Sequence, residues 1–172
     1  MTVLGIVSDT HLPRFGSALP RSLVAGLTAA RVDRILHCGD MTDLLAVELL
    51  TAIAPVEAVA GNNDGEDIRN RFGRKKILVI DGVRIGLVHG DKGAHAAPRN
   101  AFDAFADEQV DVICFGHSHR PLREQRAGRL MLNPGSPTDK RMNPRYSYAT
   151  LRLDAGRVLD AELHYYLSRS AA

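Results

Sequence analysis

The chain places five polar clusters directly after short apolar runs: Ser8-Asp9-Thr10-His11, Gly39-Asp40, Gly61-Asn62-Asn63-Asp64, His89-Gly90 and Gly116-His117-Ser118-His119. Carboxylate, carboxamide and imidazole groups suit borderline-to-hard divalent cations such as Mn, Fe or Zn, and the lack of clustered cysteines argues against a structural zinc site. The candidate ligands Asp9, His11, Asp40, Asn62, His89, His117 and His119 are too many for one ion. Two ions sharing a bridging carboxylate would use all of them, and a pair about 3.5–4 Å apart suits hydrolysis of phosphoryl esters. Any one of these residues alone would be read as a helix cap, a turn former or ordinary loop polarity; only their joint order points to ligation. On an extended chain successive side chains alternate faces, so His117 and His119 would point the same way.

The elements that must position these residues follow from the hydrophobic pattern. "TVLGIVSD" reads as a buried strand, and Leu19 to Ala30 carries apolar residues at helical spacing after a proline. "DRILHCGD" repeats the strand, "DLLAVELLTAI" the helix with Asp43 as N-cap, and "PVEAVAGN" the strand again. Strands alternating with helices predict a mostly parallel sheet with functional groups at the strands' carboxyl ends. The pattern then changes: "KKILVI" and "VRIGLV" flank an Asp81-Gly82 turn, a hairpin signal. Pro98 to Glu108 reads as helix, "VDVICFGHSH" as another buried strand, and the tail as two further hairpins split near "AGR" and at "DAGR". The prediction is an α/β fold of two sheets packed face to face with helices outside.

With 172 residues and no linker-like stretch, a single domain over residues 1–172 with one sizeable core is expected. The net charge of +2 is too mild to imply nucleic acid or an anionic membrane as main partner, and the low aromatic content offers no stacking platform. The first apolar run, Val3 to Val7, is too short and lacks the basic leader of a signal peptide, and no run approaches the roughly 20 apolar residues of a membrane span. Cys38 and Cys114 sit in apolar runs and read as buried free thiols, which favours a reducing, cytoplasmic setting.

The series D-x-H, G-D, G-N-x-D, H-G, G-H-x-H in this order resembles the calcineurin-like metallophosphoesterase superfamily. The short chain, "GNND" and "NPGS" resemble its small bacterial and archaeal phosphodiesterases, a branch that also holds the eukaryotic retromer scaffold subunit. The resemblance runs from Val3 to about Ser136, and the closing hairpin also fits. It implies a four-layer αββα sandwich of two mixed β-sheets flanked by helices. It also implies two divalent metal ions, manganese first, with Fe, Zn, Ni or Co as alternatives. One ion would be held by Asp9, His11 and His119, the second by Asn62, His89 and His117, with Asp40 bridging both. His117 would then face one metal and His119 the other, with Gly116 letting the backbone approach and Ser118 turned away. A metal-bridging hydroxide would attack a small phosphate ester in line. The alternatives within the same fold are a non-catalytic scaffold, a nucleotide pyrophosphohydrolase or a phosphomonoesterase.

The chain departs from the family pattern at Asn63, where many relatives have a histidine proposed to protonate the leaving group or contact the phosphate. Asparagine can only donate a hydrogen bond, so the leaving group must be intrinsically good, be protonated by water, or be served by another residue. Asn63 and Asp64 join Asp40 as candidate catalytic residues, the first two divided between substrate contact and turn structure. Asp91 is a second departure, at the mouth of the site. His37 reads as a core or supporting residue, His95 as loop and His164 as surface. "NPGSP" reads as a turn, and the basic stretches Arg74–Lys76 and Arg120–Arg129 as solvated faces.

Overall fold

A computed structural model describes residues 1–170. Ten strands form two five-stranded sheets. The first, ordered β10-β9-β1-β2-β3, contains β1 (Thr2–Val7), β2 (Arg34–His37), β3 (Val56–Ala58), β9 (Tyr146–Asp154) and β10 (Arg157–Tyr166). The second, ordered β4-β5-β6-β8-β7, contains β4 (Lys75–Ile80), β5 (Val83–Val88), β6 (Val112–Cys114), β7 (Leu122–Arg126) and β8 (Arg129–Asn133). β1, β2 and β3 run parallel, as do β5, β6 and β8, while hairpins supply antiparallel neighbours, so both sheets are mixed. The three hairpin turns, Asp81-Gly82, Ala127-Gly128 and Ala155-Gly156, have positive φ at both central residues, as tight two-residue hairpins require.

Alternation along the strands explains the layers. Leu4 and Ile6 of β1, Ile85 and Leu87 of β5, Val112 and Cys114 of β6 and Leu130 and Leu132 of β8 face inward and fill the space between the sheets. Val7 and Ile35 face the other way and pack under α1 (Arg21–Ala29) and α2 (Leu45–Thr51), through Leu23, Leu27 and Leu50. Ile113 and Met131 pack under α4 (Ala97–Asp103) and the turn that carries Phe105. The result is the four-layer αββα sandwich. The helix expected over Pro98–Glu108 is α-helical only to Asp103, after which Phe105, Ala106 and Glu108 donate back three residues in tight turns. The N-cap of α2 is Leu44 rather than the expected Asp43, which lies one residue earlier and accepts from the backbone N–H of Leu45 at 2.8 Å.

One helix was not legible in the sequence. α3 (Glu66–Phe72) buries only Ile68 and carries no apolar stripe; acids in its first turn and arginines in its last complement its dipole. It follows the "GNND" cluster directly and packs Ile68 beside Leu12, Met41 and Ala60. Cys38 and Cys114 are free and buried between the sheets, where burial pushes the Cys114 thiol up to about 12 and that of Cys38 well above its ordinary value. Among the described residues no helix is long and apolar enough to cross a membrane.

Candidate metal centre

All five polar clusters emerge from the carboxyl ends of parallel strands, three from the first sheet and two from the second, and meet along the seam between the sheets. Asp9 Oδ1 lies 3.8 Å from His11 Nε2, 3.7 Å from His89 Nε2 and 3.4 Å from His119 Nε2. Asp40 Oδ2 lies 3.3 Å from His89 Nε2 and 3.7 Å from His11 Nε2. On the other flank, His117 Nδ1 is 3.1 Å from Asn62 Oδ1, and its ring stands 5.2 Å from that of His89. The His11 and His119 rings stack at 5.3 Å. Thus Asp9 and Asp40 both approach His11 and His89, Asp9 also approaches His119, and Asn62 and His117 pair on the flank where His117 faces His89.

Asp9, His11, His89 and His119 are buried, and Asp9 Oδ1 and the three Nε2 atoms find no hydrogen-bond partner among the described residues. Buried polar atoms are normally satisfied, so four unpartnered ones converging on a common space fit a shared cation. Two sets, Asp9 with His11 and His119, and Asp9 with Asp40 and His89, each bring their ligand atoms within 4.8 Å of one another. This donor set of carboxylates and imidazoles has the composition that divalent transition ions accept.

The local backbone explains how residues two apart diverge. Asp9, His11, Asp40, His117 and His119 all have left-handed φ, between 43° and 70°. The expectation that His117 and His119 sit on an extended chain and point alike is therefore corrected: with φ of 70° and 58° the chain coils left-handed, sending His117 to Asn62 and His119 to His11. Ser118 turns away, its hydroxyl accepting from Asn133 Nδ2 at 3.1 Å. A Cβ on Gly116 would lie 1.9 Å from Ser8 Oγ and 2.6 Å from Asp9 Oδ2, so only glycine lets this loop close on Asp9.

Each ligand atom is aimed by a partner on the far side of its group. Asp9 Oδ2 accepts from Ser8 Oγ at 2.8 Å and from the His117 N–H at 3.0 Å, which turns Oδ1 toward the histidines. His89 Nδ1 pairs with the Cys38 carbonyl at 2.8 Å and His119 Nδ1 with the Asp139 carbonyl at 2.6 Å, freeing both Nε2 atoms for the centre. Asn63, exposed at the mouth, donates its backbone N–H to Asp40 Oδ1 at 2.8 Å and its Nδ2 to Oδ2 at 2.7 Å. Burial would raise the Asp9 carboxyl, yet His11, His119 and His89 hold it well below the usual carboxylate range. Burial opposes ionisation of Asp40 too, and His89 and Asn63 outweigh it to bring the pKa to about 2. Against the penalty of burial, Asp40 and Asp9 lift His89 to about 9; burial lowers His117, beside the cationic His89.

Asp64, divided in the sequence between substrate contact and turn structure, holds loop backbone in place. It is buried, and its carboxylate is filled by three backbone N–H groups: Asp40 at 2.8 Å, Gly61 at 2.7 Å and Thr42 at 2.7 Å. It buckles the β2 and β3 loops together. "NPGSP" is more than a turn: Ser136 Oγ donates to the Asp9 carbonyl at 2.8 Å and Asn133 Nδ2 to that of Gly116 at 3.0 Å, while Thr138, the next residue, donates its Oγ1 to the Thr10 carbonyl at 2.6 Å. Arg74 is likewise no solvated charge, bonding the Gly61 carbonyl and Asp91. His37 is buried and neutral, accepting from Gly39 N–H at Nδ1 and therefore donating from Nε2 to Thr10 Oγ1. His164, expected at the surface, is half-buried and stacks on Tyr148 at 4.7 Å. His95 is exposed. Apart from the turn bonds of Asp64 to Gly61 and His37 to Gly39, none of these side-chain pairings is written in local sequence, because each partner is 13 or more residues away.

Carboxylates and imidazoles gathered at strand ends between two mixed sheets define a metal-binding αββα domain of the phosphoesterase kind. The chain belongs to the calcineurin-like phosphoesterase superfamily, whose domain model matches residues 1–156. It is 33% identical over 165 residues to a probable metallophosphoesterase of Methanothermobacter thermautotrophicus, covering 94% of this chain and 91% of that one. It is 29% identical over 146 residues to a phosphodiesterase of Methanocaldococcus jannaschii, covering 77% and 82%. Among solved structures, Vps29 of Entamoeba histolytica complexed with zinc superposes with a TM-score of 0.77 at 22% identity, over 96% of this chain and 98% of that one.

Proposed function

We propose that this protein is a divalent-metal-dependent phosphodiesterase acting on a small phosphate ester. The observation that carries the reading is the convergence of four buried, unpartnered ligand atoms, Asp9 Oδ1 and three imidazole Nε2, on one space that Asp40 also borders. Asp9, His11 and His119 would hold one cation and Asn62, His89 and His117 a second, with Asp40 between them; manganese suits this set, as do Fe, Zn, Ni and Co. When bound, such a pair supplies Lewis acidity toward phosphate oxygens and makes water a nucleophile near neutral pH. The chain's own residues do the rest. Asp9 and Asp40 stay ionised throughout the neutral range and offset the cations' charge. His89, whose proton is retained to about pH 9 against Asp40 and Asp9, must release it to bind, so uptake weakens as pH falls. Asn63 offers a hydrogen bond at the mouth and no acid, which favours esters with a good leaving group over those needing a protonated one. The two buried free cysteines support a reducing, cytoplasmic location.

The test is hydrolysis of bis(p-nitrophenyl) phosphate by manganese-loaded protein, beside p-nitrophenyl phosphate and a nucleoside diphosphate. Diester turnover should exceed the others, and Asp40→Asn and His89→Ala should each lower it at least 100-fold. Either variant matching wild type sinks the proposal. A folded chain that takes up no metal and cleaves none of the three would instead favour a scaffold role.

A further inference from the structure

Each half of the centre straddles the seam between the sheets, and a separate device holds each half closed. For the Asp9 and His11 loop the clasp is Ser136 and Thr138, reaching from the loop after β8 to the Asp9 and Thr10 carbonyls. For the Asn62 loop it is Arg74, the residue before β4. Its Nη1 donates to the Gly61 carbonyl at 3.0 Å and its Nη2 to Asp91 Oδ2 at 2.5 Å. Gly61 precedes Asn62 on the first sheet; Asp91 follows His89 by two residues on the second.

We propose that the Arg74–Asp91 pair is a positioning latch for one half of the centre, fixing Asn62 against His89 and His117. The inference rests on the two-cation reading above. A guanidinium is a planar fork whose donors are fixed relative to one another, so a carbonyl and a carboxylate bound to it cannot shift independently. The Gly61 residue is pinned at both ends, its N–H by Asp64 at 2.7 Å and its carbonyl by Arg74, which sets the direction in which Asn62 leaves. The Arg74 and Asp91 side chains are only 27% and 13% exposed, which separates them from a screened surface pair. Asn62 also meets the second sheet through His117, but that bond joins two candidate ligands and yields when they turn to a cation. The latch does not.

The test is metal stoichiometry by elemental analysis after gel filtration, with Mn(II) titration calorimetry, on wild type, Arg74→Gln, Arg74→Lys, Asp91→Asn and Thr138→Val. Thermal melts of chelator-treated protein establish that each is folded. Wild type should bind two ions. Arg74→Gln and Asp91→Asn should keep one at wild-type affinity and bind the other about 10–100-fold more weakly, as loss of an orienting partner typically does. Arg74→Lys, which retains charge but not the fork, should fall between. Adding Asn62→Ala to Arg74→Gln should leave the tight ion unchanged, and adding it to Thr138→Val should not. Two ions at wild-type affinity in Arg74→Gln and Asp91→Asn, or equal weakening of both, overturns the latch. A wild-type chain that binds fewer than two ions overturns the underlying reading and the latch with it.

Discussion

Replacing Gly61 with alanine adds one methyl group at the tightest point beside the centre. The new Cβ would lie 2.1 Å from Asp40 Oδ1, 2.6 Å from the Asp40 backbone nitrogen and 2.8 Å from Asp40 Cγ. Real Cβ contacts essentially never fall below 3.0 Å, so the carboxylate oxygen must retreat by about 0.9 Å. Turning the side chain does not relieve the clash, because the backbone nitrogen is struck as well. Moving the backbone strains the Asp64 clasp, which holds the Asp40 and Gly61 N–H groups on a single oxygen at 2.8 and 2.7 Å. Overpacking of this kind costs about 1–3 kcal/mol. At roughly 2–4 °C per kcal/mol for a chain of this size, the melting temperature should fall by about 2–12 °C. A displacement of about 1 Å at a reacting centre costs on the order of 100-fold in rate. The assays are thermal melting of chelator-treated protein, Mn(II) titration and diester hydrolysis. Gly65→Ala is the control, since its Cβ would meet only Asp67 Oδ1, at 3.0 Å. If Gly61→Ala melts with wild type and hydrolyses the diester at the wild-type rate, the loop has slack that these distances deny.

Two further predictions concern residues behind the centre. Burial lowers His37 to about 4 from 6.5. The unfolded chain therefore takes up the proton first as pH falls, and stability present above pH 6.5 is lost between 6.5 and about 4, by about 3 kcal/mol. His117, also lowered, titrates from the same side; chelator-treated His37→Gln should still lose markedly less than wild type over this range in denaturant titrations, and an unchanged acid slope would refute the assignment. Asp64→Ala strands three backbone donors, at about 1–3 kcal/mol for each that is left buried. It should lower the melting temperature steeply and Asp64→Asn less so; activity lost in Asp64→Asn at wild-type stability would instead restore the catalytic role.

The positions of the candidate ligands were readable because a strand end is a local feature. "VSD", "HCGD" and "VHG" each announce an apolar run and its polar stop, and the fold adds only that β1, β2, β3, β5 and β6 end on one edge. The hairpins were readable because Asp81-Gly82 and Ala155-Gly156 carry the turn chemistry themselves. What escaped was nonlocal or conformational. α3 has a single buried side chain and no stripe. Apart from the short Gly61–Asp64 turn bond, Asp64, Ser136, Thr138 and Arg74 act on partners 13 to 128 residues away. The left-handed turns at His117 and His119 contradict the extended geometry that spacing alone implied. Tertiary contacts impose such φ values, and the several-fold enrichment of Asp and His among left-handed residues is too weak to mark individual positions.

Those left-handed residues also bear on how such a domain changes over generations. A non-glycine side chain held in that conformation costs on the order of 1–3 kcal/mol, and here five of the candidate ligands themselves are so held. Selection for chemistry must keep renewing that expense. A lineage released from the chemistry gains folding stability as Asp40 or His119 drifts to glycine or asparagine, while the two sheets behind them are untouched. Where the strain relieved outweighs the bonds lost to Asn63 and Asp139, descent from hydrolase to inert building block would run downhill in folding free energy. The return journey needs several costly replacements at once, an asymmetry that would make lost activity in such a lineage hard to recover.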